Sequence, residues 1–308
     1  MSECDGILST MTAVLSPMLT SLAFLGPAGT YGEQACRRLA KLNAAEQARF
    51  CPQPTIRAVV SALLDGQVDG AVVPVENSVE GGVTSCLDLL WKSALSPAGV
   101  LCIQQALILP IRHALLSDGE IGQVSEVLSH PQALAQCAAW LQEHLPQALQ
   151  LPTSSTAEAA RLVKGSRFRA AVASRQAGLE QGVNELAYPI SDQAGNCTRF
   201  LLLRRAQQPV AAAVTCTSLA FSLYANEPGA LLQVLQVFAA RQLNMSRIES
   251  RPSKRELGEY VFFVDLETRS DAKIATALVS ELQQALEPLC ERLAWFGTYP
   301  VIDDTGLL

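Results

Sequence analysis

The sequence predicts an α/β protein of two lobes with a cleft between them, followed by a smaller βαββαβ unit of the ferredoxin-like plan. Three observations predict this fold. Short apolar runs alternate with helical patterns from Leu22 onward, which is typical of βαβ units around a parallel sheet. The alternation repeats between Gly99 and about Pro189, giving more units than one compact sheet holds. Beyond a segment poor in large apolar residues, the C-terminal part follows a different order of strands and helices.

The composition describes a soluble protein and disfavours nucleic acid and membrane as partners. The chain has 308 residues, which is long for one domain. Of these, 49% are hydrophobic and 17% are charged, and no run reaches the roughly 20 apolar residues of a membrane helix. The net charge of −6 and the absence of a Lys/Arg cluster argue against a nucleic-acid surface.

The cysteines and the N-terminus indicate a cytoplasmic protein without structural metal. The nine cysteines form no CxxC pair, and three histidines supply no metal-ligand spacing. Buried thiols in a reducing compartment explain them better than disulfides do. Residues 1–20 contain acidic but no basic side chains, unlike a secretory signal, so we predict a disordered tail there.

The elements follow in order from apolar periodicity and helix-capping residues. Thr55 is placed to cap a helix that Gly66 stops, and Ser155 with Glu158 matches a capping box. In the lobes the pattern predicts strands at 22–25, 71–73, 127–128, 170–173 and 200–203, and helices at 33–42, 55–64, 83–91, 133–144 and 156–163. After a linker at 207–216 it predicts strands at 218–224, 245–250, 260–266 and 293–296, and helices at 228–238 and 271–286.

Two polar segments follow predicted strands of the first lobe, where ligands of α/β sheets usually bind. The turn at 26–32 combines glycines with a helix start, so it suits either a structural turn or an anion. It has neither the GxGxxG spacing of a dinucleotide site nor a P-loop ending. Glu76, Asn77 and Ser78 follow the next strand, and spacing alone leaves a ligand site and an ordinary turn equally favoured.

Later segments are also ambiguous when taken singly. His130 precedes a proline at a strand-to-helix junction, where a structural histidine is the commoner case. Arg199 offers a fork of donors suited to a carboxylate, beside the hydroxyl of Thr198, although an exposed arginine at a strand start is the simpler interpretation. In the C-terminal part, the segments 226–231 and 248–252 show no binding function by spacing alone.

Together and in this order, the segments resemble the prephenate dehydratase family. The matching motifs are Gly-Pro-x-Gly-Thr-Tyr, Pro-x-Glu-Asn-Ser, His-Pro-Gln-Ala-Leu and Thr-Arg-Phe, followed by the Gly-Ala-Leu and Glu-Ser-Arg-Pro of an ACT domain. The resemblance covers about residues 22–299, and Thr-Arg-Phe with Glu-Ser-Arg-Pro is its most specific part. Gly32 departs from the family, which commonly has serine there. The short tail leaves no room for a fused mutase domain, so a monofunctional enzyme is implied.

The resemblance implies a periplasmic-binding-protein-like catalytic domain at 21–206 and an ACT domain at 217–308. It implies a carbon–oxygen lyase that converts prephenate to phenylpyruvate, carbon dioxide and water in L-phenylalanine biosynthesis, with no metal or organic cofactor. L-Phenylalanine is the implied allosteric effector, bound where ACT domains pair in a homodimer or homotetramer. Two alternatives stay open: an arogenate dehydratase, and a non-catalytic small-molecule sensor.

The resemblance also assigns residues. Arg199 is expected to anchor a substrate carboxylate with help from amides at 29–31, and Thr198 to hydrogen-bond the departing hydroxyl. Glu76 is a candidate proton source. The catalytic set is Thr198, Arg199, Phe200 and Glu76, and the substrate-binding set is Gly29, Thr30, Tyr31, Asn77, Ser78 and Asn196. The effector set is Asn226, Gly229, Ala230, Leu231, Glu249, Ser250, Arg251 and Pro252.

Overall fold

A computed structural model describes residues 19–96, 101–205, 214–256, 258–270 and 272–306. Its strands are β1 (Ser21–Leu25), β2 (Arg49–Gln53), β3 (Gly70–Asn77), β4 (Gly81–Gly82), β5 (Cys102–Pro110), β6 (Ala114–Leu116), β7 (Glu126–Ser129), β8 (Leu149–Pro152), β9 (Arg169–Ala173), β10 (Glu185–Ala187), β11 (Cys197–Arg204), β12 (Val214–Leu223), β13 (Met245–Pro252), β14 (Tyr260–Ser270), β15 (Cys290–Tyr299) and β16 (Val301–Asp303). Its helices are α1 (Tyr31–Leu42), α2 (Ile56–Leu64), α3 (Thr84–Ala94), α4 (Pro131–Ala135), α5 (Ala138–His144), α6 (Thr156–Val163), α7 (Arg175–Gln181), α8 (Ala230–Ala240) and α9 (Ala272–Leu286), with a 3-10 turn at Ile121–Gln123.

The first lobe is a sheet in the order β16-β5-β11-β3-β1-β2, with β4 paired to β3. Strands β1, β2 and β3 run parallel, and β11 runs antiparallel to both β3 and β5. Helix α1 packs on one face of this sheet, and α2 and α3 pack on the other. Covered on both faces, the central strands are nearly continuous apolar runs, which is why the sequence revealed them.

The second lobe is a sheet in the order β10-β6-β9-β7-β8. Helices α4 and α5 pack on one face, and α6 and α7 pack on the other. Two crossovers join the lobes, one between β5 and β6 at 111–113 and one between β10 and β11 at 188–196. The predicted two-lobed α/β fold is confirmed.

The C-terminal unit is an antiparallel sheet in the order β13-β14-β12-β15. Its chain order, βαββαβ, confirms the ferredoxin-like plan. Helices α8 and α9 cover one face, while the other face packs on α3 through Phe263 and Phe296. Helix α8 begins at Ala230 rather than at Pro228, after Gly229 in a left-handed conformation.

The chain returns to the first lobe after the C-terminal unit. Strand β16 pairs in parallel with β5. The guanidinium of Arg38 on α1 donates two hydrogen bonds, of 2.5 and 2.9 Å, to the Asp304 carboxylate. Residues 301–303, which were expected in the ACT domain of 217–308, therefore belong to the sheet of the first lobe. Of the predicted tail and linker, residues 1–18 and 207–213 lie outside the described residues, and residues 214–216 already belong to β12.

The predicted helix at 133–144 is two helices. The carboxylate of Asp192 accepts hydrogen bonds from the backbone N–H groups of Ala139 and Trp140, both 2.9 Å, and so caps α5 from another part of the chain. Such a tertiary cap leaves no local signal. The sequence also did not predict strands β2, β4, β5, β6, β8, β10 and β16 or helix α7. Within the described segments, no helix is long and apolar enough to cross a membrane.

Candidate active site

A cleft of about 620 Å³ lies between the two lobes. Its polar lining includes Thr30, Tyr31, Asn77, His113, Gln136 and Thr198. The first turns of α1 and α3 reach it from one lobe, and those of α4 and α6 from the other. Among the residues that the structure describes, no Lys or Arg lines this cleft, and Glu80 is its one lining carboxylate.

A β-bulge decides which side chains of β3 and β11 face the cleft. The register pairs Thr198 with Asn77, Arg199 with Glu76 and Phe200 with Pro74. Val75 is thus left without a partner, which is the arrangement of a bulge. Because side chains alternate along a strand, Thr198 and Phe200 face the cleft and Arg199 faces away. The bulge turns Glu76 away with Arg199.

The hydroxyl of Thr198 is held by a neighbouring amide. Asn77 donates from Nδ2 to Thr198 Oγ1 at 2.8 Å and to Asn196 Oδ1 at 3.0 Å. Thr198 is 8% exposed. Because its oxygen accepts this bond, its hydrogen is left to donate to a ligand atom in the cleft.

Asn77 and Ser78 also brace the surrounding backbone. The Oδ1 atom of Asn77 accepts the N–H groups of Val79 and Glu80 at 2.9 and 3.0 Å. Ser78 Oγ accepts the N–H of Cys197 at 3.0 Å, which ties the loop after β3 to the start of β11. The predicted residues Asn77, Ser78 and Asn196 therefore form one network, with Asn77 lining the cleft.

Sequence reasoning missed two further residues: His113 in the first crossover and Gln136 at the break between α4 and α5. His113 Nε2 lies 3.0 Å from Gln136 Oε1, and Asn196 Nδ2 donates to the same oxygen at 3.0 Å. Burial lowers the pKa of His113, and its hydrogen bond to Gln136 opposes that effect only in part, so the ring is neutral at neutral pH. The only signal in the sequence was the His-Pro-Gln-Ala-Leu stretch, which ends two residues before Gln136.

The turn at 26–32 lies in the cleft wall but is largely engaged internally. The N–H of Gly29, at a φ of +83°, donates to the buried carboxylate of Glu33 at 2.7 Å. This amide was expected to bind a substrate carboxylate, but it already has an acceptor within the protein. Thr30 caps α1, and Tyr31 donates its hydroxyl to the carbonyl of Arg112 at 2.6 Å. The first-turn amides of Tyr31 and Gly32 have no acceptor within the helix. A Cβ on Gly32 would lie 2.7 Å from the Leu25 carbonyl oxygen.

Arg199 belongs to the interface with the C-terminal unit, which corrects the expected role in the cleft. Its Nη2 atom lies 2.5 Å from Asp265 Oδ2 and 3.1 Å from Glu76 Oε2. Although burial acts to lower the pKa of Arg199, the nearby charges of Asp265, Tyr299 and Glu76 outweigh it and raise that pKa. The physical reason is the alternation on β11 together with the bulge, which place both charged groups on the far face.

The eight expected effector residues are divided between two sides of the C-terminal sheet. Glu249 and Arg251 face the first lobe, where Arg251 lies 3.4 Å from Asp88 and Glu249 packs against Gly82. The segment 229–231 begins α8 on the opposite face, and Asn226 lies beside the Gly258 turn. Ser250 and Pro252 are exposed. No expected residue of this set lines the cleft between the lobes.

His130 has the structural role that base rates favour, and it also lines the cleft. It caps α4 through Nδ1, which accepts the N–H of Gln132 at 3.3 Å. Two lobes joined by two crossovers, with a hydrogen-bonding cleft between them and an attached βαββαβ unit, define the class of two-lobed α/β proteins that hold a small molecule between their lobes.

The sequence comparisons give the family. The prephenate dehydratase family model matches residues 22–208, and the ACT domain model matches residues 217–283. The chain therefore belongs to the prephenate dehydratase family. It is 39% identical over 302 residues to the bifunctional chorismate mutase/prephenate dehydratase of Neisseria gonorrhoeae, covering 96% of this chain and 77% of that protein. It is 36% identical over 292 residues to the prephenate dehydratase of Amycolatopsis methanolica, covering 92% and 90%.

Solved structures agree with this fold. The crystal structure of a prephenate dehydratase from Arthrobacter aurescens in complex with L-Phe matches with a TM-score of 0.78 at 34% identity, covering 91% of this chain and 90% of that one. A structure described as a novel type of quorum-quenching acylase matches with a TM-score of 0.75 at 28% identity, covering 91% and 97%. The same architecture thus carries more than one described activity, so the chemistry of the cleft has to support the assignment.

Proposed function

We propose that the cleft between the lobes is where the chain removes water and carbon dioxide from prephenate. The observation that carries this proposal is the hydroxyl of Thr198, which accepts from Asn77 and keeps its hydrogen for a ligand in the cleft.

The chemistry needs a hydrogen-bond donor at the departing oxygen. The bond between the ring and one carboxylate breaks, and carbon dioxide leaves. The electron pair of that bond enters the ring. The ring C–O bond then releases hydroxide with its own pair, so the dianion gives phenylpyruvate, carbon dioxide and hydroxide, and one proton completes the water. Negative charge grows on the departing oxygen, and a donor fixed at that position stabilises the transition state more than the substrate. Thr198 is such a donor.

The two substrate carboxylates meet helix first turns rather than guanidinium groups. Helices α1, α3 and α6 begin at the cleft with Tyr31, Thr84 and Thr156. Their free N–H groups and the positive ends of their dipoles favour anions. The helix first turns thus take the carboxylate-binding role that was expected of Arg199, which lies in the C-terminal interface. Phe200 and Tyr31 supply apolar surface for the ring of the substrate.

Glu80 is the carboxyl group placed to supply the proton or to select the substrate. It lines the cleft, whereas Glu76 does not. As a proton donor it would convert hydroxide to water. As a carboxylate it would instead attract the ammonium group of arogenate, which is why arogenate remains the second candidate substrate. Comparing the turnover of both substrates by wild type and Glu80→Gln separates the two roles.

The C-terminal unit is the proposed phenylalanine sensor. The Arthrobacter relative was crystallised with L-Phe, and the chain matches the ACT domain model. Asn226, Gly229, Ala230 and Leu231, with Glu249, Ser250, Arg251 and Pro252, remain the proposed effector residues. Because these groups lie on two sides of one sheet, a complete site requires a second copy, which fits a homodimer or homotetramer paired through these units. Exposed Leu232 and Ile248 offer apolar surface for such pairing. A cytoplasmic location is proposed with this biosynthetic role.

The deciding experiment is direct. Purified wild type is incubated with prephenate at neutral pH, and phenylpyruvate is followed by absorbance. Thr198→Ala should lower kcat by about 10²- to 10³-fold, the usual loss of one transition-state donor. Thr198→Ser keeps the hydroxyl and should recover most of the rate. Wild-type protein without turnover of either prephenate or arogenate, or Thr198→Ala at wild-type kcat, would contradict the proposal.

A further inference from the structure

A second large cavity lies where the first lobe meets the C-terminal unit, and we call it the joint cavity. It has a volume of about 640 Å³, which is typical of small-molecule sites. Helices α2 and α3 line it on one side, and strands β13 and β14 with the loop between them line it on the other. Ile56 and Ser85 line both this cavity and the cleft between the lobes, so the two spaces share a wall.

Positive charge is concentrated around the joint cavity. Of the 23 Lys and Arg residues in a chain of net charge −6, six line this one space. Among the residues that the structure describes, a single carboxylate, that of Asp88, lines it with them. The field of such a concave site is focused on its interior, so the joint cavity attracts anions. The six cations are Arg57, Lys92, Arg251, Lys254, Arg255 and Arg292.

Ion pairs inside the protein account for three of the six cations. Arg251 and Lys254 lie 3.4 and 2.5 Å from the carboxylate of Asp88 on α3, and these contacts attach the C-terminal unit to the first lobe. Arg255 lies 2.6 Å from Glu291, a carboxylate of the C-terminal unit itself. Docking of the two parts therefore explains some of the charge, but it does not explain all of it.

The other three cations have no carboxylate within ion-pair distance in the described part of the chain. Arg57 lies in the first turn of α2 and Lys92 near the end of α3, and both residues are exposed. Arg292 lies on β15, next to the Glu291 that is already paired with Arg255. Like charges held around one cavity repel one another, and a bound anion would relieve that repulsion.

Apolar surface surrounds these charges. Aromatic and aliphatic side chains of both parts line the joint cavity, namely Ile56, Leu89, Trp91 and Leu95 of the first lobe and Val261 and Phe263 of the C-terminal sheet. Guanidinium and ammonium groups bind phosphates and carboxylates, whereas aromatic and aliphatic side chains bind an apolar ring. The lining therefore suits a molecule that has both kinds of group. An amino acid such as L-phenylalanine has no net charge and would leave the unpaired cations without a counter-charge.

We propose that the joint cavity is a binding site for a small organic molecule that carries at least two negative charges on an apolar ring. The charged groups are phosphate or carboxylate, since the same cations bind both. Arg57 and Lys92 bind these groups from the first lobe, and Arg292 binds them from the C-terminal unit. Helix α2, which begins at the cavity, adds the positive end of its dipole.

The joint cavity differs from the two sites already described. No described Lys or Arg lines the cleft between the lobes, so the cleft does not offer the same charge. Of the proposed phenylalanine residues, only Arg251 and Pro252 line the joint cavity. Asn226 and the segment 229–231 lie outside it. We therefore expect the ligand of the joint cavity to bind without displacing L-phenylalanine.

The first test asks which parts of a ligand the cavity requires. Full-length wild-type protein is titrated calorimetrically with 5′-AMP and with phthalate, which carry two charges on a ring as a phosphate or as two carboxylates. We expect at least one of them to bind with a Kd below about 1 mM, and the tighter one identifies the charged group. Adenosine and phthalamide lack the charge and inorganic phosphate lacks the ring, so each should bind at least about tenfold more weakly. Failure of both charged probes to bind would overturn the inference, as would equal binding of the uncharged probes or of inorganic phosphate.

The second test locates the bound molecule. Arg57→Gln/Lys92→Gln removes two exposed cations without breaking an ion pair, so the fold should be retained, which urea denaturation checks. We expect this variant to bind the tighter probe at least about tenfold more weakly, because two hydrogen bonds to charged groups are lost. The matched control is Lys164→Gln/Arg167→Gln, which removes one Lys and one Arg from exposed positions of the second lobe that do not line the cavity. Its affinity for the probe should match wild type.

The outcomes separate this inference from the proposed function. Equal loss of affinity in both double variants would show that net charge rather than the cavity attracts the probe, which overturns the inference. Loss of L-phenylalanine binding together with probe binding in Arg57→Gln/Lys92→Gln also overturns it, because the cavity would then be the effector site itself. None of these titrations requires turnover, so the anion site and the dehydratase assignment can each fail while the other stands.

Discussion

Thr198 and Arg199 are neighbours in the chain, yet they lie on two faces of β11 that differ in charge. One face carries neutral polar groups, and the other carries a buried ion pair. The cleft face presents neutral amides and hydroxyls that bond to one another and leave one hydroxyl hydrogen unused. The far face presents a guanidinium between Asp265 and Glu76, set in the apolar contact between the first lobe and the C-terminal sheet.

The comparison shows how one short motif serves two sites. On the cleft face, neutral donors can be aimed at charge that develops during the reaction without a strong field before it. On the far face, the buried ion pair carries a large desolvation cost and fixes where the C-terminal sheet docks, because a shifted sheet would leave a charge unpaired. Asp265 also accepts from Ser218, whose hydroxyl contacts Tyr299 at 2.6 Å.

The largest expected effect is a loss of stability when the ion pair on the far face of β11 is removed. Asp265→Ala leaves Arg199 buried without its main partner, so we expect a loss of about 3–5 kcal/mol in the free energy of unfolding. KM for prephenate should stay near the wild-type value at temperatures where the variant is folded. The measurement is urea denaturation paired with steady-state kinetics.

Two controls sharpen that experiment. Glu267→Ala removes a carboxylate two residues along the same strand. The double variant Arg199→Met/Asp265→Leu replaces the pair by apolar groups and should be more stable than Asp265→Ala alone. If Asp265→Ala raised KM strongly while stability stayed unchanged, Arg199 would be a substrate anchor after all.

A smaller loss of stability is expected at the ion pair between Arg38 and Asp304. Asp304 follows β16 and bonds to Arg38, whose side chain is 31% exposed, compared with 13% for Arg199. Asp304→Ala should therefore cost about 1.5–3 kcal/mol, the range for hydrogen bonds to charged groups. Denaturation under the same conditions gives the comparison, with Asp303→Ala as control. A loss larger than that of Asp265→Ala would contradict the claim that burial sets the cost.

On the cleft side, His113 gives a pH-dependent prediction. Its pKa is lowered from 6.5 by burial, so as pH falls through about 6.5 the unfolded chain binds a proton there that the folded chain does not. The folded state then loses up to about 1.4 kcal/mol per pH unit until the folded pKa is reached. Relative to His113→Gln, wild type should lose stability between about pH 7.5 and pH 5.5. A difference in stability between wild type and His113→Gln that stays constant across this pH range would disprove the linkage.

The sequence predicted the features that depend on local apolar periodicity and on helix-capping residues. The two-lobed fold, the helix capped by Thr55 and the helix capped by Ser155 all follow from apolar periodicity and capping residues. These features need only a few neighbouring residues to specify them. The expectation that Thr198 lies in the cleft came instead from the family resemblance of its Thr-Arg-Phe motif.

The far face could not be predicted, because its causes are not local. The bulge at Val75 reverses which side chains of β3 face the cleft, and no residue type marks it. The pairing of Arg199 with Asp265 joins residues 66 positions apart, and Gln136 reaches Asn196 across 60. Strand β16 is only three residues long, too short for a periodic signal. For this reason Arg199 lies away from the cleft in which it was expected to bind a carboxylate.

The smallest expected effect is at Glu76, and it tests the division between the faces most directly. Glu76→Gln removes a half-exposed partner of Arg199, at 3.1 Å, so we expect a stability loss of only about 0.2–1 kcal/mol. Since its carboxylate points away from the cleft, kcat should match wild type across acid and neutral pH. Glu80→Gln is the matched comparison, since it removes the carboxyl group that does line the cleft and should lower the rate. If Glu76→Gln impaired turnover more than Glu80→Gln did, the proton would come from the far face, and the separation of chemistry from docking on β11 would be lost.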